Sequence, residues 1–227
     1  MSSSHIRTEP SILYFGTPVV LISTRNEDGS ANVAPMSSAF WLGWRCMLGL
    51  DASSKTTENL IRTKECVLNL PSVNEVAAVD RLARLTGSNP VPSGKVARGY
   101  RYEPNKFEAA GLTQITSETV SPPRVRECPI QMEAVLAGVH GLGEDSPWKG
   151  ELNAFEVRIQ RIYAAPHVLM DGVPNRIAPD KWRPLIMSFQ KFYGLAPGQA
   201  HESTLGHIPE DSYRSPDVER SRTAPSP

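Results

Sequence analysis

Ser53, Ser54, Lys55, Thr56 and Thr57 stand in an unbroken polar run just ahead of Asn59 and the apolar pair Leu60-Ile61. Hydroxyl donors, an ammonium and the free backbone N–H groups of a helix start together favour a bound phosphate. Ser and Thr at such a position are also ordinary helix caps, and the run alone fits both readings. A strand-like stretch upstream ends in a small cluster of its own, Asn32-Val33-Ala34-Pro35-Met36-Ser37-Ser38.

Other residues invite chemistry less specifically. His201 and His207 stand six positions apart, whereas two metal-binding histidines on one helical face stand four apart. Gly206 and Pro209 also interrupt any helix there, so the stretch reads as a polar loop. Gly141-Leu142-Gly143 has strand-like flanks and no following helix, so it reads as a turn rather than a dinucleotide fingerprint. Arg124 and Arg126 could meet the 2′-phosphate of NADPH, since guanidinium meets phosphate in bidentate fashion, but such residues are more often surface or interface ion-pair partners. Glu133 falls on the polar side of its strand, and His140 and His167 stand alone beside turns.

The elements that must position these residues are mostly strands. Val19-Val20-Leu21-Ile22 begins a β-branched run to Arg25, Asn26-Glu27-Asp28-Gly29 is a turn signal, and Ser30 to Phe40 alternates. That combination predicts a hairpin. Trp44–Leu50, Val67–Leu70 and Ile130–Val139 supply further strands. Phe155, Val157 and Ile159 alternate with Glu156, Arg158 and Gln160, the pattern of a half-buried antiparallel strand. A short helix is predicted over Thr56–Thr63, and a second from Ser72, where Ser72 and Glu75 match a capping box, to a stop at Gly87. Gly87 to Gly111 turns to Gly, Pro, Ser and charge and reads as a long excursion of the lid or binding-loop kind. Pro184 suits the first turn of a helix carrying Leu185, Ile186, Phe189, Phe192 and Tyr193, ended by Gly194. Many strands with few helices favour a closed or partly closed antiparallel barrel. Residues 1–208 are expected to form one domain and 209–227 a flexible tail.

Bulk composition narrows the classes. Apolar residues make up 40% of the 227-residue chain, enough to bury a core. The 24 basic and 24 acidic residues cancel, so no basic patch is implied and nucleic acid is not an expected partner. Cys46, Cys66 and Cys128 are isolated, which argues against a disulfide framework or zinc site and for buried, reduced thiols. Met1–Arg7 lacks an apolar signal core, and no run approaches the roughly 20 apolar residues that cross a bilayer. The expectation is a soluble cytoplasmic protein.

Several short motifs in one order now carry a resemblance. They are Asn32-Val33-Ala34-Pro35-Met36-Ser37, Lys55-Thr56-Thr57-Glu58-Asn59-Leu60-Ile61 and Glu65-Cys66-Val67-Leu68-Asn69-Leu70. Asn105-Lys106-Phe107-Glu108 with Ala110-Gly111-Leu112-Thr113, and Cys128-Pro129-Ile130-Gln131-Met132-Glu133, complete the set. From about Thr17 to Asp171 the chain resembles the flavin reductase-like family of FMN-binding split β-barrels, flavoredoxins included. The resemblance implies a mainly β, antiparallel Greek-key split barrel with a few peripheral helices. It also implies a homodimer with FMN at the subunit interface and NADH or NADPH as reductant. Ser53, Ser54, Lys55, Thr56 and Thr57 would then hold the phosphate, with Asn59 in support. Met36, Ser37, Ser38 and Ala39 would meet the isoalloxazine, and Asn32 the ribityl hydroxyls. The family often has tryptophan where this chain has Ser38, with Trp41 three residues on, so the stacking contact differs. No acid–base residue is required, because hydride transfer is the cofactor's chemistry. The implied activity is NAD(P)H-dependent flavin reduction, with electrons passed to an acceptor such as a partner protein. A non-enzymatic FMN electron carrier, or a barrel that has lost flavin, are the alternatives.

Overall fold

The computed structural model of the chain describes residues 5–225. The expectation that the first residues carry no apolar signal core therefore falls partly on residues 1–4, outside the described residues, as does the very end of the expected tail.

A strand β1 (Phe15–Pro18) precedes the predicted hairpin of β2 (Val20–Arg25) and β3 (Ala31–Met36). The hairpin turns where Gly29 takes φ +80° and Asp28 accepts the N–H and hydroxyl of Ser30. Next come β4 (Ala39–Leu42), β5 (Arg45–Asp51), α1 (Lys55–Thr63) and β6 (Glu65–Leu70). The capping box at Ser72 and Glu75 forms, opening a single 3₁₀ turn that leads into α2 (Val76–Leu82). This helix stops short of Gly87, because β7 (Leu85–Thr86) intervenes.

The excursion is more ordered than its composition suggests. It holds α3 (Ser93–Val96), β8 (Arg101–Tyr102), which pairs parallel with β7, and α4 (Lys106–Ala110). Each is about one helical turn or one ladder rung, too short to show periodicity. The paired strands β9 (Gln114–Ile115) and β10 (Arg124–Val125) follow, then the long strands β11 (Ile130–Leu142) and β12 (Leu152–Ala164). A small hairpin, β13 (Leu169–Met170) with β14 (Val173–Ile177), comes next.

The helix expected from Pro184 is instead a β-hairpin, β15 (Ile186–Ser188) and β16 (Lys191–Tyr193), with β15 also pairing with β1. Its turn residues Phe189 and Gln190 both have positive φ, as tight hairpin turns require. Three-residue strands spaced by a two-residue turn place apolar residues at helix-like intervals, which is why the pattern misleads. Residues from 209 onward, expected as a flexible tail, include a capped helix α5 (Pro216–Ser221) lying on β12. Asp217 of α5 reaches Arg45 at 2.9 Å.

The main sheet has seven strands in the order β3-β2-β6-β11-β12-β5-β4, every neighbour antiparallel. Its edge strands β3 and β4 are separated in sequence only by Ser37 and Ser38. The sheet must therefore curl until its two edges are neighbours, yet they do not pair, which leaves a barrel with a split. Alternation sends Val20, Ile22, Leu48, Leu68, Phe155 and Val157 into one core inside the curl. Val19, Leu21 and Val33 face the other way and pack under α2 and α4 with Val79, Leu82 and Phe107.

Candidate functional site

The split opens into a cavity of about 670 Å³. One wall is the β3–β4 junction, Met36, Ser37 and Ser38, with Gly49 of β5 behind it. A Cβ at Gly49 would stand 3.0 Å from the Ser38 Cβ, so the missing side chain lets this wall close up. Gly49 N–H donates to the Ser38 carbonyl at 2.8 Å, which pins the junction. A second wall is the start of α1, where Ser54 caps the helix by accepting the Thr57 N–H at 3.1 Å. The segment after α2 and the excursion supply the third wall.

The expected site residues divide between cavity wall and support. Met36, Ser37, Ser38, Ser54, Lys55 and Thr56 line the cavity. Ala39 is buried in the inner core. Ser53 is exposed and donates its hydroxyl to Asp51 at 2.6 Å. The Thr57 hydroxyl donates to the Asp51 carbonyl at 2.8 Å, tying α1 to the end of β5. Asn32 and Asn59 are buried and both donate to Thr24, at 3.1 and 3.0 Å, while Asn32 also reaches Thr56 at 3.2 Å. They hold α1 on the hairpin. Among the described residues the buried Asn32 Oδ1 has no hydrogen-bond partner, and Gly87 backs onto it: a Cβ there would sit 2.9 Å away. Lys55 is already paired, its ammonium 2.6 Å from Glu58.

Three residues that the site reading missed also line the cavity: Lys95, Arg98 and Lys106. Lys106 is only 3% exposed, and burial pulls its ammonium down to about 7, with the charge of Lys95 adding to the shift. Lys95 is lowered too, chiefly by burial, with Asp51 opposing. The signal for Lys106 was its place in Asn105-Lys106-Phe107-Glu108. For Lys95 and Arg98 it was only the charge content of the excursion.

Arg124 and Glu133 lie elsewhere. Glu133 is fully buried rather than on a polar face, and accepts N–H groups of Glu118 and Thr119 at 2.9 and 2.7 Å. Arg124 stands 3.5 Å from Glu133 with its guanidinium 3.7 Å over the Tyr163 ring, so it is engaged inside the fold. Trp41 packs against the inner core.

Hydroxyls, a helix start, small side chains and lysines around one cavity suit a ligand with a flat polar part and an anionic end. Its volume is that of a small-molecule site. A family model described as flavin reductase like domain matches residues 12–178. The uncharacterized protein YdfE of Bacillus subtilis (strain 168) is 40% identical over 187 residues, covering 82% of this chain and 87% of that protein. The solved structure of nitrilotriacetate monooxygenase component B from Bacillus cereus superposes with a TM-score of 0.65 at 26% identity, covering 85% of this chain and 89% of that one. A structure with a split barrel domain from Shewanella frigidimarina NCIMB 400 gives a TM-score of 0.64 at 16% identity over 83% and 87% of the two chains. At that identity the likeness shows the fold, and it is the split barrel expected here.

Proposed function

Because the chain belongs to the flavin reductase-like family, we propose that it is an FMN-binding oxidoreductase that uses NADH or NADPH and passes electrons to a downstream acceptor. One observation carries this reading. The cavity pairs a wall of small residues, Ser37, Ser38 and Gly49, with a wall made of the α1 start and cationic side chains. A flavin mononucleotide has the same two ends, a planar ring system and a phosphate. FMN, when bound, would supply the hydride-accepting and electron-passing chemistry.

The protein's own residues bind and orient. Ser54 and Thr56 with the first N–H groups of α1 take the phosphate end. The backbone of Met36–Ser38 offers hydrogen bonds to the ring edge, at a position where a large side chain is absent. Asn32, Thr24 and Asn59 keep α1 at a fixed distance from that wall. The outer residues Phe15, Phe40 and Leu42 are 72%, 60% and 81% exposed. They support a homodimer, since exposed large apolar side chains mark association surfaces. Among the described residues no helix is long and apolar enough to cross a membrane.

The test is the visible spectrum of the purified protein before and after FMN addition and gel filtration. Flavin bands at about 370 and 450 nm that travel with the protein, and bleach with NADH or NADPH, are the expected result. Retained flavin with no nicotinamide oxidation would make the chain an electron carrier. A blank spectrum after loading would remove the flavin reading.

A further inference from the structure

A second cavity, of about 660 Å³, shares no lining residue with the cavity at the split. It exists because β12 outruns its neighbour. β5 accompanies β12 only as far as Arg158, and the Trp44 carbonyl adds one last rung by accepting the Ile159 N–H at 2.9 Å. A β-bulge follows at once: Glu133 pairs with Arg161 and Ala134 with Ile159, so Gln160 is the extra residue. Bulges re-aim side chains and are frequent beside active sites. Past the bulge, the β13–β14 hairpin, a 3₁₀ turn at Glu210–Tyr213 and α5 cover the strand without filling the space.

Three features of the lining define an occupant. Trp44, Ile162, Leu169, Ile177 and Val218 give the cavity an apolar side, and Trp44 offers an aromatic ring a stacking or edge contact. The charged residues cancel. Arg161 pairs with Glu118 and Glu210 with Arg176, Arg214 and Arg222 share Glu219, and Asp211 offsets the second of those arginines. Such a lining selects neither an anion nor a cation. Gln160 is only 6% exposed; its Nε2 donates to the Thr119 carbonyl at 3.2 Å, while among the described residues no donor meets its Oε1. A desolvated carbonyl oxygen without a donor carries a cost that a bound N–H or O–H removes. The plain alternative is that water in the cavity supplies that donor.

We propose that this cavity is a second binding site, for an uncharged aromatic molecule carrying one N–H or O–H donor, with its ring against Trp44 and its donor on the Gln160 Oε1. The volume suits a small molecule. The end of the chain, from Glu210 through α5, is then the cover of a site. Because the two cavities have separate walls, an occupant here leaves the flavin cavity free, and the site stands whether or not the chain binds flavin.

The probes are indole and N-methylindole, close in shape, with and without a donor, and indole carboxylate as the charged control. The isotope-labelled full chain is titrated with each at neutral pH, and amide and indole N–H shifts are followed by NMR. Saturable shifts are expected at Trp44 and along α5. N-methylindole is expected to bind about three- to tenfold more weakly than indole, the worth of one hydrogen bond, and the carboxylate more weakly still. Gln160→Leu is expected to abolish the preference for indole. Since Gln160 also holds the Thr119 carbonyl, Ile162→Trp is the second variant: at a position 39% exposed it fills the cavity, and it is expected to remove binding of both probes while the melting temperature holds. Added FMN is expected to leave the indole shifts in place. Shifts that scatter or never saturate, equal affinity for the two neutral probes, a preference kept by Gln160→Leu, or binding that survives Ile162→Trp overturns the site and leaves a water-filled cavity. Displacement of indole by FMN overturns it too, by assigning the probe to the cavity at the split.

Discussion

At the residue scale, burial has made the lysines of the cavity unequal. Lys55 sits on the surface of α1 in an i,i+3 pair with Glu58, where exposed pairs contribute little. Lys55→Ala is expected to weaken FMN severalfold and leave riboflavin alone, as read by fluorescence quenching; equal losses would take Lys55 out of the phosphate site. Lys106 is different, because its folded-state value lies near 7, below the ordinary lysine value of 10.5. Between those two pH values the unfolded chain holds a proton that the folded chain has released, so this group makes the fold more stable as pH rises through that window. Below about 7 its penalty is fully present. Lys106→Met should therefore raise the melting temperature most at pH 6–7 and hardly at pH 10. A gain that does not depend on pH would mean that the ammonium is hydrated in the fold. Gly49→Ala would push a methyl against Ser38 at 3.0 Å. The expected result is a loss of about 1–3 kcal/mol in urea unfolding, the usual cost of overpacking, together with weaker flavin binding.

At the element scale, the loop between β9 and β10 depends on one buried carboxylate. Glu133 accepts two backbone N–H groups and the Thr119 hydroxyl, at 2.9, 2.7 and 2.6 Å. Asn69 adds an acceptor for the Val125 N–H at 2.8 Å from β6. Hydrogen bonds to a buried charge are stronger than neutral ones, and an amide in the same place turns one acceptor into a donor facing N–H groups. Glu133→Gln is expected to cost roughly 2–4 kcal/mol and to open the loop to limited proteolysis near Glu118. A variant with parental urea midpoint and proteolysis would show that the loop is held by its apolar contacts. α5 is a second appended element, joined to β5 by the partly exposed Asp217–Arg45 pair and seated on β12. Screening makes that pair a weak fastening, so packing on β12 is the main tie.

At the scale of the whole molecule, the curled sheet creates two environments that no single element has. Its interior raises the Cys46 thiol to about 12 and pushes Cys66 higher, while Cys128 is raised in the outer cluster; burial is the first cause in each. Thiolate is the reactive form, so the native protein should resist a thiol reagent at pH 8 and expose three reactive thiols only on denaturation. Fast labelling of a folded sample would show that the barrel opens readily. The split also leaves large apolar side chains outside, Leu13, Phe15, Phe40 and Leu42 among them. Sedimentation equilibrium is expected to read twice the 24.9 kDa of one chain. A monomer at micromolar concentration would leave those side chains without a partner and refute the dimer.

The sequence by itself determined the parts whose physics is local. Asp28-Gly29 turns the first hairpin, Ser72 and Glu75 cap a helix start, and alternation along Phe155–Ile159 selects a two-faced strand. The Ser54–Thr56 run and the Met36–Ser38 junction were legible as candidate site residues because hydroxyls and an ammonium at a helix start suit a phosphate as well as a cap. Tertiary structure decided which of them reach the cavity. Asn32, Thr57 and Asn59 turned inward because their partners, Thr24, Asp51 and Asn26, come from other strands and turns. The Pro184–Gly194 stretch became a hairpin because β1 offered it an edge, a partner far away in sequence. Lys106 shows the same dependence most plainly: a lysine in a polar segment reads as surface, and only the packing of α4 over β3 and α2 buries its charge beside a cavity. Burial is a property of the assembled whole, and the chemistry of a charged side chain follows from burial.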